Sequence, residues 1–355
     1  MIRICYFGIY NPNYARNEVN IRGLRENGIE VVECHTDKKG FKKYPILFKK
    51  LWSLKDRYDV LFVGFHGHAV MPIAWIVAKM IHRKKIIFDA LISVYDTNVF
   101  DRKKHSAVSL MALKYWFIDW LSCVLADRVL LDSASHCKYF EDTFHIRSGK
   151  FRTVFLGCND KVMYPRPQKK ENQNFLVHFH GTYIPLQGIP FIVRAAKLLE
   201  NEDVVFNIIG KLATYREAID LAKDLGISNI NFIDYVPYDR LADYMANADV
   251  CLGLFGATDK AKRTAAFKIA EAMAMARPVI TAETPAVKEF LLNRENALLC
   301  KIADERDLAD KIIELKENKE LREKIAQNGY NTYKEFLSPT AIGRELKNII
   351  ETLSQ

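Results

Sequence analysis

The stretch Phe267-Lys-Ile-Ala-Glu-Ala-Met-Ala-Met-Ala-Arg-Pro-Val-Ile-Thr-Ala-Glu-Thr-Pro-Ala-Val-Lys-Glu289 reads as a helix, a tight turn and a buried strand. Ile269, Ala272, Met273 and Ala276 fall on one helical stripe, and Pro278 prevents that helix from continuing. Val279 to Ala282 follows as a short apolar strand, and Thr284 with Pro285 predicts the opening of a second helix. The first helix begins near Phe267 and Lys268, where free backbone N–H groups and an ammonium can hold a phosphate. Glu271 lies three residues further on and therefore faces the same side. A cation and a carboxylate so placed suit a nucleoside diphosphate, one for phosphate and one for ribose hydroxyls.

Outward from this unit, apolar runs alternate with amphipathic segments, the pattern of a parallel α/β sheet. The first half offers strands at Ile2 to Phe7, Glu30 to Cys34, Val60 to Phe65, Lys85 to Asp89, Arg128 to Asp132 and Thr153 to Leu156. The second offers Phe175 to His180, Val204 to Ile209, Ile230 to Ile233, Val250 to Leu254, Val279 to Ala282 and Ala297 to Cys300. Near-continuous runs such as Val60-Leu-Phe-Val63 are expected of strands covered on both faces. Between the halves, Cys158 to Asn174 loses all apolar period and reads as a linker. Two doubly wound domains are expected, at 1–160 and 161–339, with ligands at the carboxyl ends of their sheets and a cleft between them.

The chain has 355 residues, 49% hydrophobic and 27% charged, which is the composition of a globular protein too long for one ordinary core. A net charge of +9 fits anionic partners such as nucleotides, lipid phosphates or a membrane surface. No nucleic-acid recognition module is visible, so nucleic acid is not expected as a partner. Seven scattered cysteines argue against a disulfide framework and for a reducing compartment. With a strand at the amino end and no signal-like region, the expected location is cytoplasmic. The apolar stretches Val70 to Ile81 and Ala107 to Ala126 are short or interrupted by Lys114 and Asp119, and both read as buried helices. The segment 38–55 interleaves lysines with Phe41, Tyr44, Phe48 and Trp52. It reads either as a helix in an anionic membrane interface, on the inner face of the cytoplasmic membrane, or as a core helix with a solvated basic edge.

The run Lys268-x-x-Glu271-Ala-Met-Ala-x-x-Arg-Pro-Val-Ile resembles the signature of the family 4 glycosyltransferases, of the glycosyl transferases group 1. The resemblance covers most of the chain and is strongest from Gly181 to Glu289. It implies the GT-B fold, two Rossmann-like domains facing a central cleft, with a terminal helix (340–355) packing back on the first. It also implies retaining transfer of a hexosyl or N-acetylhexosaminyl group to a glycan or lipid-linked acceptor in polysaccharide synthesis. The donor would be a nucleotide sugar, a UDP- or GDP-sugar, with no metal ion and no further cofactor.

Carried onto this chain, the resemblance gives donor contacts at Gly181, Thr182, Gly210, Lys211, Arg263, Lys268 and Glu271. Relatives carry two basic residues where Thr182 and Gln187 stand, and a first glutamate eight positions before Glu271, where this chain has Arg263. Lys260, Lys262 and Arg263 either compensate with charge or form a solvated loop. In the first domain, Gly8 and Arg16 fall in the loop that relatives place against donor phosphate or acceptor, and Arg16 faces either cleft or solvent. Relatives carry a histidine after the fourth strand; here Asp89 and Asp96 are the candidates for its catalytic role, beside Lys268, or else they cap loop ends. An unpaired buried carboxylate is costly, so pairing of Asp89 with Arg16 or Arg102 is expected. His66-Gly-His68 has chelate spacing without further ligands nearby and reads as a polar contact rather than a zinc site. Two other readings stay open: a nucleotide-sugar epimerase on the same scaffold, and a degenerate partner subunit that binds nucleotide sugar without using it.

Overall fold

The computed structural model of the chain describes residues 2–38, 40–168 and 174–354. In chain order the first part holds β1 (Arg3–Gly8), α1 (Ala15–Glu26), β2 (Glu30–His35), α2 (Lys43–Trp52), β3 (Val60–Val63), α3 (Met71–Ala74), β4 (Lys85–Leu91), α4 (Leu110–Leu125), β5 (Arg128–Leu131), α5 (Ala134–Phe144) and β6 (Phe151–Thr153). The second holds β7 (Phe175–His180), α6 (Ile189–Leu198), β8 (Val204–Ile209), α7 (Arg216–Asp224), β9 (Ile230–Ile233), α8 (Tyr238–Asn247) and β10 (Val250–Leu252). It continues with α9 (Asp259–Arg263), α10 (Phe267–Ala274), β11 (Val279–Ala282), β12 (Leu298–Cys300), α11 (Glu305–Glu317) and α12 (Lys319–Thr332), before the last helix, α13 (Pro339–Ser354).

These elements form two units: Met1–Gly157 with Ser338–Gln355, and Cys158–Leu337. Each is built on a six-stranded sheet, β2-β1-β3-β4-β5-β6 in the first and β12-β11-β10-β7-β8-β9 in the second. Every pairing is parallel. Strand order reverses between β1 and β3 in the first sheet and between β7 and β10 in the second, the positions where open α/β sheets bind ligands. The six residues from Cys158 to Met163 pack into the second unit rather than linking the two, with Cys158 and Met163 fully buried. Residues 169–173 of the expected linker, like Lys39 of the basic segment, lie outside the described residues.

In the first unit, alternation along β1 sends Ile4 and Tyr6 to one face of the sheet and Cys5 and Phe7 to the other. Val19 and Leu24 of α1 and Ile342, Leu346 and Ile350 of α13 cover the first face. The backbones of α1 and α13 nearly touch: a Cβ on Gly343 would fall 1.9 Å from the carbonyl oxygen of Gly23, so no larger residue fits that crossing. One row of helices covers the opposite face, through Leu47 and Leu51 of α2, Met71 and Ala74 of α3, Cys123 of α4 and Phe140 and Phe144 of α5.

The helices depart from the sequence expectation in four places. After α10, Ala276 adopts a left-handed conformation (φ 50°) instead of extending the helical stripe. Arg277 N–H then donates to Ala272 O at 2.9 Å and Ala276 N–H to Met273 O at 3.0 Å, a Schellman cap with alanine at the glycine position. Thr284 opens only a single 3₁₀ turn, Val287–Glu289, because its Oγ1 accepts from Val287 N–H and the chain then turns away. The stretch Val70 to Ile81 is α3 running into a π-helical segment (Trp75–Ile81) that leaves Ile76 and Met80 exposed. The stretch Ala107 to Ala126 is not a buried helix either, since Leu110, Leu113, Phe117 and Val124 of α4 are exposed.

Candidate functional site

In the second unit the loops leaving β7 and β10 meet at the point of strand reversal. Phe255 N–H donates to Gln187 O and Gly256 N–H to Leu186 O, both at 3.2 Å. The amino end of α10 follows the second of these loops and brings Lys268 and Glu271 against the first. Lys268 is only 6% exposed. Its Nζ donates to Gln187 Oε1 and stands 3.7 Å above the Phe179 ring. Gly181 lets the ammonium in, since a Cβ there would already lie 3.0 Å from Nζ. Burial holds the Lys268 pKa well below the usual lysine range, against the opposing pull of Glu271. A buried, perturbed lysine at a strand-reversal edge is a site poised for an anion.

Glu271 is 4% exposed and belongs to a chain of side chains that the sequence reading did not single out. His180 Nε2 lies 2.9 Å from Glu271 Oε2, and His180 Nδ1 lies 3.0 Å from His178 Nε2. In the tautomer in which His180 donates through Nε2 to Glu271, its Nδ1 accepts from His178 Nε2–H. His178 Nδ1 is then an acceptor, and it is buried without a partner. Burial, with His180 and Lys268 adding to it, pushes the His178 pKa well below the usual histidine value and keeps the ring neutral. Burial and then Glu271 push the Tyr238 phenol far above its usual range. The signal available in the sequence was a pair of histidines at i and i+2 on the otherwise apolar β7, ending at the sheet edge.

The other residues expected around this edge are arranged less closely. Gly210 ends β8 beneath Tyr215, whose hydroxyl donates to Gly181 O at 2.7 Å. Thr182 and Lys211 are exposed. Lys260, Lys262 and Arg263 are not a solvated loop but the short helix α9, capped by Thr258, with Lys260 buried and Lys262 paired to Asp259 at 2.9 Å. Arg263 is half-buried at the carboxyl end of α9.

In the first unit three expected site residues are buried. Arg16 and Asp89 are 1% and 0% exposed and form a two-pronged ion pair, Nε to Oδ2 at 2.9 Å and Nη2 to Oδ1 at 3.0 Å. Arg16 Nη1 donates to the carbonyls of Val154 and Phe155 at 2.9 and 2.8 Å, and Asn20 Nδ2 donates to Asp89 at 3.0 Å. This pair ties α1 and β4 to the chain after β6. Asp96, 1% exposed at the head of a π-helical segment, presents no carboxylate at the surface. Gly8 ends β1 beside Tyr10. Asp119 accepts from Ser93 Oγ at 2.7 Å and from the N–H groups of Val94 and Tyr95, and its Oδ1 lies 3.3 Å from His68 Nε2. It thereby caps the segment that carries Asp96. His66, left-handed at φ 71°, packs against Phe65 with the ring centroids 3.9 Å apart. Among the described residues no group of three or more His, Cys, Asp or Glu side chains is arranged to hold a metal ion.

The chain resembles known proteins in sequence and in fold. Over 183 residues it is 25% identical to a glycosyltransferase of Methanocaldococcus jannaschii, which is 52% of this chain and 48% of that one. Over 204 residues it is 22% identical to the N-acetyl-alpha-D-glucosaminyl L-malate synthase of Bacillus anthracis, which is 54% of this chain and 51% of that one. The matched part thus spans about half the length of these curated relatives. Among solved structures, Anabaena HepE in complex with UDP-glucose superposes with a TM-score of 0.73 at 13% identity, covering 99% of this chain and 100% of HepE. Sucrose-phosphate synthase from Thermosynechococcus elongatus gives a TM-score of 0.74 at 15% identity, covering 99% of both chains. The fold is the GT-B fold of such transferases. The family model of the glycosyl transferases group 1 matches residues 162–332, so the second unit of this chain, with its Lys268 and Glu271 edge, belongs to that family.

Proposed function

We propose that the chain is a glycosyltransferase whose second unit binds a nucleotide-sugar donor, a UDP-sugar in the first instance and a GDP-sugar otherwise. The observation that carries this reading is the buried Lys268 held against the Gly181 loop, one helical turn from a Glu271 already oriented by His180. Lys268 takes a diphosphate oxygen in place of Gln187, and Glu271 takes the ribose hydroxyls. HepE, with the same fold, is described in complex with UDP-glucose, which supports the choice of nucleotide. Thr182, Gly210, Lys211 and Arg263 complete the donor surface.

Transfer proceeds with retention and without a metal ion. The bond from the anomeric carbon to the diphosphate breaks, the acceptor hydroxyl bonds to that carbon on the same face, and its proton passes to a phosphate oxygen. The protein's part is to stabilise charge developing on the leaving diphosphate, where one preorganised donor is worth about 10²–10³ in rate. We assign the acceptor, a glycan or a lipid-linked sugar, to the first unit, and the segment 38–55 to contact with an anionic membrane surface. Arg263, where relatives carry a glutamate, favours a second reading in which the chain binds donor without turning it over.

Release of free nucleotide from a panel of UDP- and GDP-sugars separates the two. Slow hydrolysis of one donor, lost in Lys268→Ala, supports the transferase; donor binding without hydrolysis, even when glycan and lipid acceptors are added, supports the binding subunit.

A further inference from the structure

Most exposed positions on the helices of a water-soluble surface are polar, but α4 inverts this rule. Its five exposed residues are Leu110, Leu113, Lys114, Phe117 and Val124, four of them apolar. At 100° per residue those four fall within one narrow stripe with Lys114 at its edge. The stripe is extended by Val108, which is 95% exposed just ahead of the helix. The same layer of the first unit continues the pattern: α3 and its π-helical extension expose Ile76 and Met80, and α2 exposes Phe48 and Trp52, whose rings lie 5.5 Å apart. Because α2, α3 and α4 pack side by side on one face of the sheet, their outer sides form one surface.

Charge identifies the occupant. The segments 38–55, 71–85 and 102–118 contain seven, four and four Lys or Arg residues and no Asp or Glu. Lys79 is partnered by Asp127, whereas Arg102, Lys103 and Lys104, shortly before α4, and Lys114 at the edge of its stripe are exposed. An exposed apolar stripe edged by Lys114 on a helix of 16 residues, with three cations just before it in the chain and no helix among the described residues long and apolar enough to cross a bilayer, matches an interfacial helix rather than a spanning one. We infer that the outer side of α2, α3 and α4 docks on an anionic bilayer, with the Val108–Phe117 part of α4 as the segment that enters it. This deepens, and rests on, the bilayer contact assigned to residues 38–55 under the proposed function.

The test is co-sedimentation of the full chain with vesicles of phosphatidylcholine alone and of phosphatidylcholine with 30% phosphatidylglycerol, for wild type, L113E/F117E and K49E/K50E. Expected is binding to the anionic vesicles, weakened at least tenfold in L113E/F117E at unchanged melting temperature and unchanged UDP affinity. Slower amide hydrogen exchange over 106–118 in wild type on those vesicles is expected as well. Loss of binding in K49E/K50E with full binding in L113E/F117E would overturn the role of α4 and leave that of residues 38–55. Absence of vesicle binding by wild type, or binding indifferent to both variants, would overturn both. A wild-type dimer in light scattering that L113E/F117E dissociates, without vesicle binding, would make the face a contact between copies and overturn the inference. Donor binding is read separately, so failure here does not touch the nucleotide site.

Discussion

His180 Nε2 stands 2.9 Å from Glu271 Oε2 across 91 residues of chain, and that contact joins the carboxylate to a series that ends at the buried His178. Glu271 therefore meets a ligand already oriented, which spares the ordering cost that a free carboxylate would bear on binding. Removing the bond with His180→Ala is expected to weaken UDP binding about tenfold, as a lost hydrogen bond to a charged group implies. His180→Gln, whose amide N–H₂ reaches the position of Nε2, is expected to restore most of it. Equal affinities for the two variants in isothermal titration would show that His180 does not position Glu271.

Lys268 makes the affinity pH-dependent. Burial holds its pKa below the usual lysine range in the free protein, and an incoming diphosphate raises it. Between those two values binding takes up a proton, so affinity falls as pH rises. Titrations from pH 7 to 10 in buffers of different ionisation enthalpy are expected to show uptake of up to about one proton, absent in Lys268→Met. Proton release, or the same uptake in the variant, would remove Lys268 from the phosphate site.

The Arg16–Asp89 pair is a matter of stability rather than ligand binding. Both groups are fully buried, so breaking the pair strands a charge: Arg16→Met and Asp89→Asn are each expected to cost about 3–5 kcal/mol in urea unfolding of the first unit. The double variant Arg16→Met/Asp89→Leu is expected to cost less than either single one. UDP affinity of whatever variant remains folded should match wild type; a selective loss of UDP binding at full stability would return Arg16 to the donor site.

Ala276 carries avoidable backbone strain. Its φ of 50° at the end of α10 belongs to glycine, and a left-handed alanine costs about 1–2 kcal/mol, part of which glycine's greater freedom in the unfolded chain offsets. Ala276→Gly is expected to stabilise the second unit by about 0.5–1 kcal/mol, read as a higher melting temperature. A lower one would mean that packing of the alanine methyl outweighs the strain.

Strands were legible in the sequence where the parallel sheet is covered on both faces, as at β3 and β11, which are short, almost unbroken apolar runs. Their ends were less so: β6 is Phe151–Thr153, earlier in the chain than the apolar run suggested. Lys268 and Glu271 were legible because both lie on one helical turn. Arg16–Asp89 and His180–Glu271 join residues 73 and 91 apart, and only the strand order brings them together. Gln187 stands where relatives carry a charge; the structure makes it the acceptor that holds Lys268, a role a second lysine would replace with repulsion. The exposed face of α4 could not be separated from a buried one, because an apolar stripe at helical spacing looks the same whether protein or something else covers it.

The central claim is that the amino end of α10 holds a nucleoside diphosphate through Lys268 and Glu271. Isothermal titration of UDP, GDP and uridine into wild type, Lys268→Ala and Glu271→Ala tests it most directly. Expected is binding of one diphosphate by wild type, with Lys268→Ala weakening the diphosphate far more than the nucleoside and Glu271→Ala weakening both. Binding of no nucleotide by wild type, or binding unaltered in both variants, would contradict it.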